Sequence, residues 1–508
     1  MRKIATFGIK SVTPISLGWY EANTYDKSGF RVPSFRGSIR WWLRTIVAGV
    51  LYDFGLADET VGKYTQLIQN TIFGGEDRSS LIIPRLIKCN IKKLGENDLE
   101  KILYMKRGRV HAKHIRIELL VMGKRLNEAK NLIKKAFRKE ITAELELLSM
   151  AYEGGKIRIK TDKEERYEVS LKYLELLSIY STLLNLMLMG YGKGSRRALG
   201  AFSLTKFSAA PPLREEAQKI QDALDKNEKK ENVSVLIELE NIKKYPINVA
   251  NIIVRLIEEA RYCCELILKE LGIRRRGEIK VSIPKFPALS KRFSKIYCIE
   301  VEGLWRKDPI ERLIDVNEKF LKKFFLRSFD RPRSIKWKPQ GLVGVLQDLK
   351  PEEKTTRRGV IYVTKAHKLG SYVLGLPRAA RKPPQCHDFG VEFNPFNGRI
   401  MIKGRYTECR EVDDVSGYAK PIFEESGCIR SWEDYRRASP LIITLANESS
   451  IVITFLKSAD WPSSIWWWTT HSGDISIRTF QDALNKVEKY LDRELDKNRI
   501  WPLDLHYP

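Results

Sequence analysis

The stretch with the densest potential for chemistry is GYGKGSRRALGAF, residues 190–202. Gly190, Gly192, Gly194 and Gly200 free the backbone for tight turns and close approach. Lys193, Ser195, Arg196 and Arg197 place three cations and a hydroxyl on the same loop. Backbone N–H groups with cations beside them suit phosphate oxygens, because both favour developed negative charge. A nucleotide P-loop is excluded: that motif runs strand, G-x-x-x-x-G-K-[ST], helix. Here the order is helix, loop, strand, and Gly194 follows Lys193. A second cationic set, Arg36, Arg40 and Arg44, recurs every four residues in PSFRGSIRWWLR and so lies in one row of a helix. Three like charges in a row repel unless an anion lies over them. For both sets the plain alternative is a solvated surface.

Other side chains offer other chemistries, each incomplete. His111 and His114, with Lys113 between them, are the candidate acid–base residues of a metal-independent nuclease. Read as a strand over 110–122, they face opposite sides. Glu76 and Asp77 in the turn GGED have the residue types of a metal-binding palm, but no carboxylate on a neighbouring strand completes the set. Cys386, His387, Cys409 and Cys428 could supply four zinc ligands but lack the short Cys-x-x-Cys spacing of a zinc site. No cofactor motif is present. Adjacent Cys263 and Cys264 on a helix read as buried thiols.

Ninety Lys and Arg against 63 Asp and Glu give a formal charge of +27. A surplus of that size points to a polyanionic partner, most often nucleic acid. Between Lys319 and Arg358, twelve cations face four acids, with Phe324, Phe325, Phe329 and Trp337 interleaved. That mixture fits single-strand binding by stacking and phosphate contacts, or equally an insertion with its aromatics inside. The absence of a long apolar run and of an apolar leader, with seven cysteines, predicts a cytoplasmic protein with reduced thiols and no membrane partner. A charged fraction of 30% leans toward a thermophile.

The elements that must position these residues read as an α+β chain. A strand spans 3–12 and a helix opens at Pro33 with Ser34 as its cap. A strand follows the GGED turn, another spans 110–122, and helices span 126–150 and 171–189. The glycine-rich loop and a last strand close the set. This is the β-α-β-β-α-β plan of a ferredoxin-like, RRM-like domain with an inserted helix, although the aromatic RRM signature is missing. Residues 1–210 form this domain and 211–232 a charged, partly helical linker. Residues 233–508 form the second half, opening on VSVLIELE as a strand and a long helix over 248–271. Residues 447–450 are the turn of a later hairpin.

PSFRGSIRWWLR, the FGG turn and GYGKGSRRALGAF together resemble the RAMP superfamily of CRISPR-associated proteins, and within it the first-numbered subunits of Cmr (type III-B) RNA-targeting complexes. The likeness covers about residues 1–210. It is weaker in KLGSYVLGLPR (368–378) and RRASPLIITLANESSIVITF (436–455). It implies two tandem ferredoxin-like domains with helical and basic insertions. It also implies a non-catalytic subunit that binds guide and target RNA near the guide 3′ end, with other RAMP subunits as partners. Carried over by position, the RNA-contacting residues are Arg36, Arg40, Lys193, Ser195, Arg196 and Arg197, with Arg44, Gly192, Gly194, Arg436 and Arg437 lining the same cleft. The competing implication is a guide-processing endoribonuclease using His111, His114 and Lys113.

Overall fold

The computed structural model describes residues 1–16, 30–76, 78–121, 123–152, 154–160, 166–225, 232–242, 248–277, 281–321, 352–356, 359–363, 390–394, 399–403, 419–423, 429–434, 440–458, 465–467, 473–475 and 477–502. The basic stretch 322–351, Arg436, Arg437, Asp77 and the four candidate zinc ligands lie outside these residues.

The first strand, β1 (Arg2–Ser11), leads to α1 (Val32–Asp53) and α2 (Asp58–Phe73), then to β2 (Ile82–Lys92). An insertion follows: α3 (Glu96–Ile102), the hairpin β3 (Leu103–Lys106) and β4 (Arg109–Ala112), α4 (Ile115–Val121) and α5 (Leu126–Ala136). The chain returns through β5 (Glu140–Ser149), the hairpin β6 (Lys156–Lys160) and β7 (Arg166–Ser170), α6 (Leu171–Leu188) and β8 (Phe202–Ala209). The four long strands form an antiparallel sheet in the order β2-β5-β1-β8. Numbered by chain order, that is 2-3-1-4, with α1 after the first strand and α6 after the third.

The third strand is β5, in a stretch expected to be helical. Residues 126–150 divide into α5 and β5, because Ile141, Ala143, Leu145 and Leu147 alternate into the core while Thr142 and Glu144 point away. Residues 110–122, expected as that strand, are the short β4 and the helix α4. Helix α1 begins at Val32 after Arg31, not at Ser34, and Pro33 occupies its first turn, where a missing N–H costs nothing. The anticipated core face of α1 is present, with Ile39, Leu43, Ile46 and Val50 all buried. Helix α6 is buried on every side, as its run of leucines requires.

Residues 211–225 of the expected linker are helix α7 (Pro211–Asp225), packed into the core through Leu213, Ala217 and Ile220. VSVLIELE is not a strand. Ser234 caps α8 (Val235–Glu240), its hydroxyl accepting from Leu236 N, and Val235, Leu236 and Leu239 are buried at helical spacing. Then come α9 (Val249–Glu270), β9 (Ser294–Glu300) and α10 (Pro309–Val316), three hairpins β10 (Glu352–Thr356) to β15 (Ile429–Asp434), β16 (Leu441–Leu445), β17 (Ser450–Leu456), β18 (Ile465–Trp467), β19 (Gly473–Ile475), α11 (Ile477–Leu495) and β20 (Arg499–Trp501). The expected turn at 447–450 is present, with Asn447 Oδ1 accepting from the N–H groups of Ser449 and Ser450 at 2.8 and 2.7 Å.

Contacts divide the chain into two compact units. The first holds residues 1–316, 442–458 and 497–508, and so contains both the first sheet and a second sheet ordered β16-β17-β9-β20. By chain order those strands again read 2-3-1-4. The second unit holds residues 317–441 and 459–496, with two-stranded hairpins and α11.

Inside the first unit, Glu259 of α9 is buried and accepts from Tyr180 Oη at 2.7 Å, Ser234 Oγ at 2.9 Å and Val235 N at 2.7 Å. Burial outweighs these donors and the nearby Arg255 charge and pushes the carboxyl from 4.5 up to about 7. A folded value above the unfolded one means that its stabilising contribution is full below about pH 4.5 and is lost as pH rises through about 7. Denaturant titrations at pH 5 and pH 8 should therefore show the wild type losing about 2–3 kcal/mol relative to Glu259→Gln over that interval. Equal pH dependence in the two proteins would contradict it.

Candidate nucleic-acid interface

The two cationic stretches read from the sequence meet in the structure. Helix α1 presents Arg36, Arg40 and Arg44 along one row, and the turn after α2 folds back over the first two. Arg36, Arg40, Gly74, Gly75, Glu76, Arg78, Ser79 and Ser80 line a cavity of about 340 Å³. Arg36 donates to the Phe73 carbonyl and to Ser80 Oγ, and Ser80 Oγ donates to the same carbonyl at 3.0 Å. Arg78 bonds Thr71 Oγ1 at 2.7 Å. Gly74, at φ 73°, lets the chain reverse, and Gly75 N bonds the Arg78 carbonyl at 2.9 Å. Burial, and then the charge of Arg40, pull the Arg36 guanidinium below its ordinary value, the direction expected where cations are crowded away from solvent. Glu76 is exposed on the rim of this turn, as a surface turn requires.

The glycine-rich loop lies against the N-terminal turns of α1. Tyr191 donates from its hydroxyl to the Arg31 carbonyl and packs on Phe30 and Phe35 at centroid distances of 4.9 and 5.6 Å. The Arg196 guanidinium stands 4.8 Å above the Trp41 ring, a cation–π contact. Trp41 and Trp42 divide as adjacent helical residues must: Trp42 is wholly buried, and Trp41 is half-buried beneath the arginine.

The loop's backbone is used differently from the sequence expectation of N–H groups offered to phosphate. Tyr191 N bonds Gly200 O at 2.7 Å, Lys193 N bonds Ser16 O at 2.7 Å and Gly200 N bonds Pro14 O at 2.9 Å. Arg197 N bonds Gly194 O at 2.8 Å, and Ala198 N bonds Ile443 O at 2.7 Å. Thr13 Oγ1 donates to Ala198 O at 2.7 Å and accepts from Ala201 N at 3.0 Å. These amides hold the loop in place. Lys193, Ser195 and Arg196 are half-buried, whereas Arg197 is 5% exposed and donates to the Arg196 carbonyl at 2.7 Å. Arg197 is thus an internal residue of the loop. Gly192 and Gly194 take φ of 94° and 79°. Arg44 is exposed one turn beyond the cavity.

The histidines do not form a pair. His111 Nδ1 lies 2.8 Å from Glu118 Oε1, and its ring stacks on Tyr104. His114 is 1% exposed, with Nε2 3.2 Å from the Arg197 carbonyl, where it supports the loop from below. The two imidazoles therefore have different partners, one at a carboxylate and one beneath the loop. Among the described residues no cluster of metal-ligating side chains occurs, and no helix is long and apolar enough to cross a membrane.

The open face of the first sheet is not an aromatic platform. Across it, Glu146 bonds Arg85 at 2.6 Å and Lys3 at 3.6 Å, Glu140 bonds Lys92 at 2.8 Å and Lys10 at 3.4 Å, and Glu144 bonds Lys206 at 3.3 Å. Three carboxylates set among five cations weaken the attraction of this face for a polyanion. The missing RRM signature and this face agree.

Sequence reasoning missed Arg78, Ser79 and Ser80 as cavity residues, and Thr13 and His114 as supports of the loop. The first three follow a Gly-Gly turn, which was a readable signal. The last two are identified only by contacts far along the chain.

Residues 9–203 match the RAMP superfamily. That stretch runs from β1 through the glycine-rich loop to the start of β8, and so includes every element of the site. No curated protein matches the chain. Among solved structures, the chain is similar to Cmr1 from Pyrococcus furiosus in its apo form, at 15% identity over 98% of both chains with a TM-score of 0.41. It is also similar to a chain of type III-B Cmr-beta bound to cognate target RNA and AMPPnP in the presence of ssDNA, at 11% identity, 96% and 99% coverage and a TM-score of 0.41. A third is a chain of Cmr-beta bound to cognate target RNA, at 12% identity, 97% and 100% coverage and a TM-score of 0.39.

A Cβ at Gly200 would stand 2.0 Å from the Tyr191 carbonyl, at a φ of 64°. Gly200→Ala should therefore release the loop, lowering the thermal midpoint and exposing Lys193 and Arg196 to trypsin under conditions where the wild type resists. Unchanged cleavage at those two residues would refute the anchoring described above.

Proposed function

We propose that this chain is an RNA-binding, non-catalytic subunit of a type III-B CRISPR effector complex, with other RAMP subunits as partners. It would hold guide RNA, target RNA or both near the guide 3′ end through backbone phosphates. The observation that carries the reading is Arg196 seated over Trp41 of α1, one residue from Arg40. A loop and a helix widely separated in sequence bring their cations to one place, which two independently solvated surfaces have no reason to do. The RAMP match over residues 9–203, the formal charge of +27 and the resemblance of PSFRGSIRWWLR and GYGKGSRRALGAF to the first-numbered Cmr subunits support the same reading. Two ferredoxin-like halves fit the repeated 2-3-1-4 strand order.

Phosphate contacts position a strand without reading its bases, which suits a subunit whose sequence specificity comes from a guide. Arg40 and Arg196 supply fixed charge, Lys193 a movable one, and Ser195 and Ser79 hydroxyls for phosphate oxygens. Catalysis has no assembled site in this reading, since His114 is internal and Glu76 stands at a surface turn.

Arg197 being internal, the informative variant is Arg40→Ala/Lys193→Ala/Arg196→Ala. In a titration with labelled single-stranded RNA at several salt concentrations, wild-type affinity should fall steeply with salt. The triple variant should flatten that slope by about 2, at roughly 0.7 per lost phosphate contact. The RNA should emerge intact on a denaturing gel. Cleavage at a defined position without metal would make the chain a nuclease, and an unchanged slope would remove this surface from the interface.

A further inference from the structure

A second surface in the first unit is built for a ligand, and the cationic site above does not use it. Trp305 is 59% exposed, an unusual state for the largest apolar side chain. Its loop is nevertheless held rigidly. Gly303 turns the chain at φ 75°, and Arg312, itself buried, donates to the carbonyls of Leu304, Trp305 and Val12 at 3.3, 3.3 and 3.2 Å. Val12 is also bonded to Ala201 at the end of the glycine-rich loop, at 2.8 Å. One buried arginine therefore fixes an exposed indole relative to the anchor of the cationic loop. The Arg306 guanidinium lies 4.9 Å from the centre of that indole.

A second exposed aromatic belongs to the same neighbourhood. Lys101, at the end of α3, bonds Asp308 and Glu311 at 2.7 Å each, just beyond Trp305. Three residues after Lys101 comes Tyr104, 41% exposed, stacked on His111 at 5.5 Å and 27° on the β3–β4 hairpin. Arg107 and Gly108, at φ 54° and 72°, make the hairpin's primed turn, and Tyr104 to Arg109 are all exposed. From residue 101 to 117 the chain has six Lys or Arg and no Asp or Glu. Of the acids nearby, Asp308 and Glu311 pair with Lys101, Asp315 pairs with Lys307 at 2.5 Å and Glu118 meets His111 at 2.8 Å, while Glu302 is exposed three residues before Trp305.

We infer that Trp305 and Tyr104, with Arg306 and the basic β3–β4 hairpin around them, form a base-stacking strip for single-stranded RNA. The inference rests on the RNA-binding reading above and adds a different kind of contact, to bases. Flat rings held rigidly beside Arg306, Lys106, Arg107 and Arg109 suit unpaired bases, whose faces stack on aromatics while their phosphates meet the cations. A protein partner would meet the same rings but would need acidic groups to answer the hairpin.

The test uses the full chain and a uridine-rich single strand carrying 4-thiouridine. Trp305→Ala and Tyr104→Ala should each weaken binding about 5- to 100-fold with the salt slope unchanged, because stacking releases no counterions. Trp305→Phe should restore most of the affinity, and near-wild-type thermal midpoints would show that the fold is intact. Irradiation should cross-link the RNA to residue 305 or 104, located by mass spectrometry. If the wild type binds RNA but both alanine variants bind equally well and no cross-link forms there, the strip is overturned and its occupant is a protein. If the wild type binds no RNA under any salt condition, the RNA-binding reading fails and this inference falls with it.

Discussion

The site depends on how one loop's backbone is used. Between Gly190 and Gly200, the amides of Lys193, Gly200 and Ala198 bond Ser16, Pro14 and Ile443, those of Tyr191, Ser195 and Arg197 bond carbonyls of the loop itself, and Thr13 stitches both sides of Ala198–Ala201 to the end of β1. A flexible glycine-rich stretch would lose substantial conformational entropy on gripping a ligand. Here that loss is met during folding. The cations are held before any anion arrives, and binding need not order them. Glycine is required where the backbone is crowded, at Gly190 and Gly200, whose added Cβ atoms would meet neighbouring carbonyls at 2.5 and 2.0 Å. The glycines are therefore the condition for a rigid loop in this fold.

The same economy explains the histidines and Arg197. An imidazole under the Arg197 carbonyl and a guanidinium turned back on Arg196 O satisfy polar groups that the loop buries as it packs down. Residue types suited to chemistry stand in supporting positions, while the more modest Arg40 and Trp41 of α1 stand at the surface where Arg196 arrives. Polar side chains near a nucleic-acid site divide in this way between those that touch the ligand and those that hold the others, and residue type alone does not separate them.

Legibility in the sequence followed the range of the interactions. The row Arg36, Arg40, Arg44 and the buried face Ile39, Leu43, Ile46, Val50 were readable because both are set by the 3.6-residue period of one helix. The plan of the first sheet was readable too, although the third strand was misplaced. Glu140, Glu144, Leu145 and Leu148 fall at spacings of three and four, so the apolar alternation of β5 was mistaken for a helix. VSVLIELE failed in the opposite direction: its β-branched residues suggested a strand, but packing against α9 and a serine cap made a helix. The cap over Arg36 and the place of His114 were not legible, because they depend on pairs of segments brought together only by the finished fold.

The first sheet also explains why binding would move away from the face that RNA-recognition folds use. Strand β5, inside the sheet, carries Glu140, Glu144 and Glu146 on its open side, each matched to lysine or arginine on β1, β2 or β8. The pairs are largely solvent-screened, so each adds little to stability. Their consequence is electrostatic: three carboxylates among five cations lower the positive potential of this face. Further lysines and arginines stand where the chain enters and leaves the sheet: at the start of α1, in the glycine-rich loop before β8 and on the inserted β3–β4 hairpin. On the proposed reading, a strand would follow these connecting segments, with the sheet as their support.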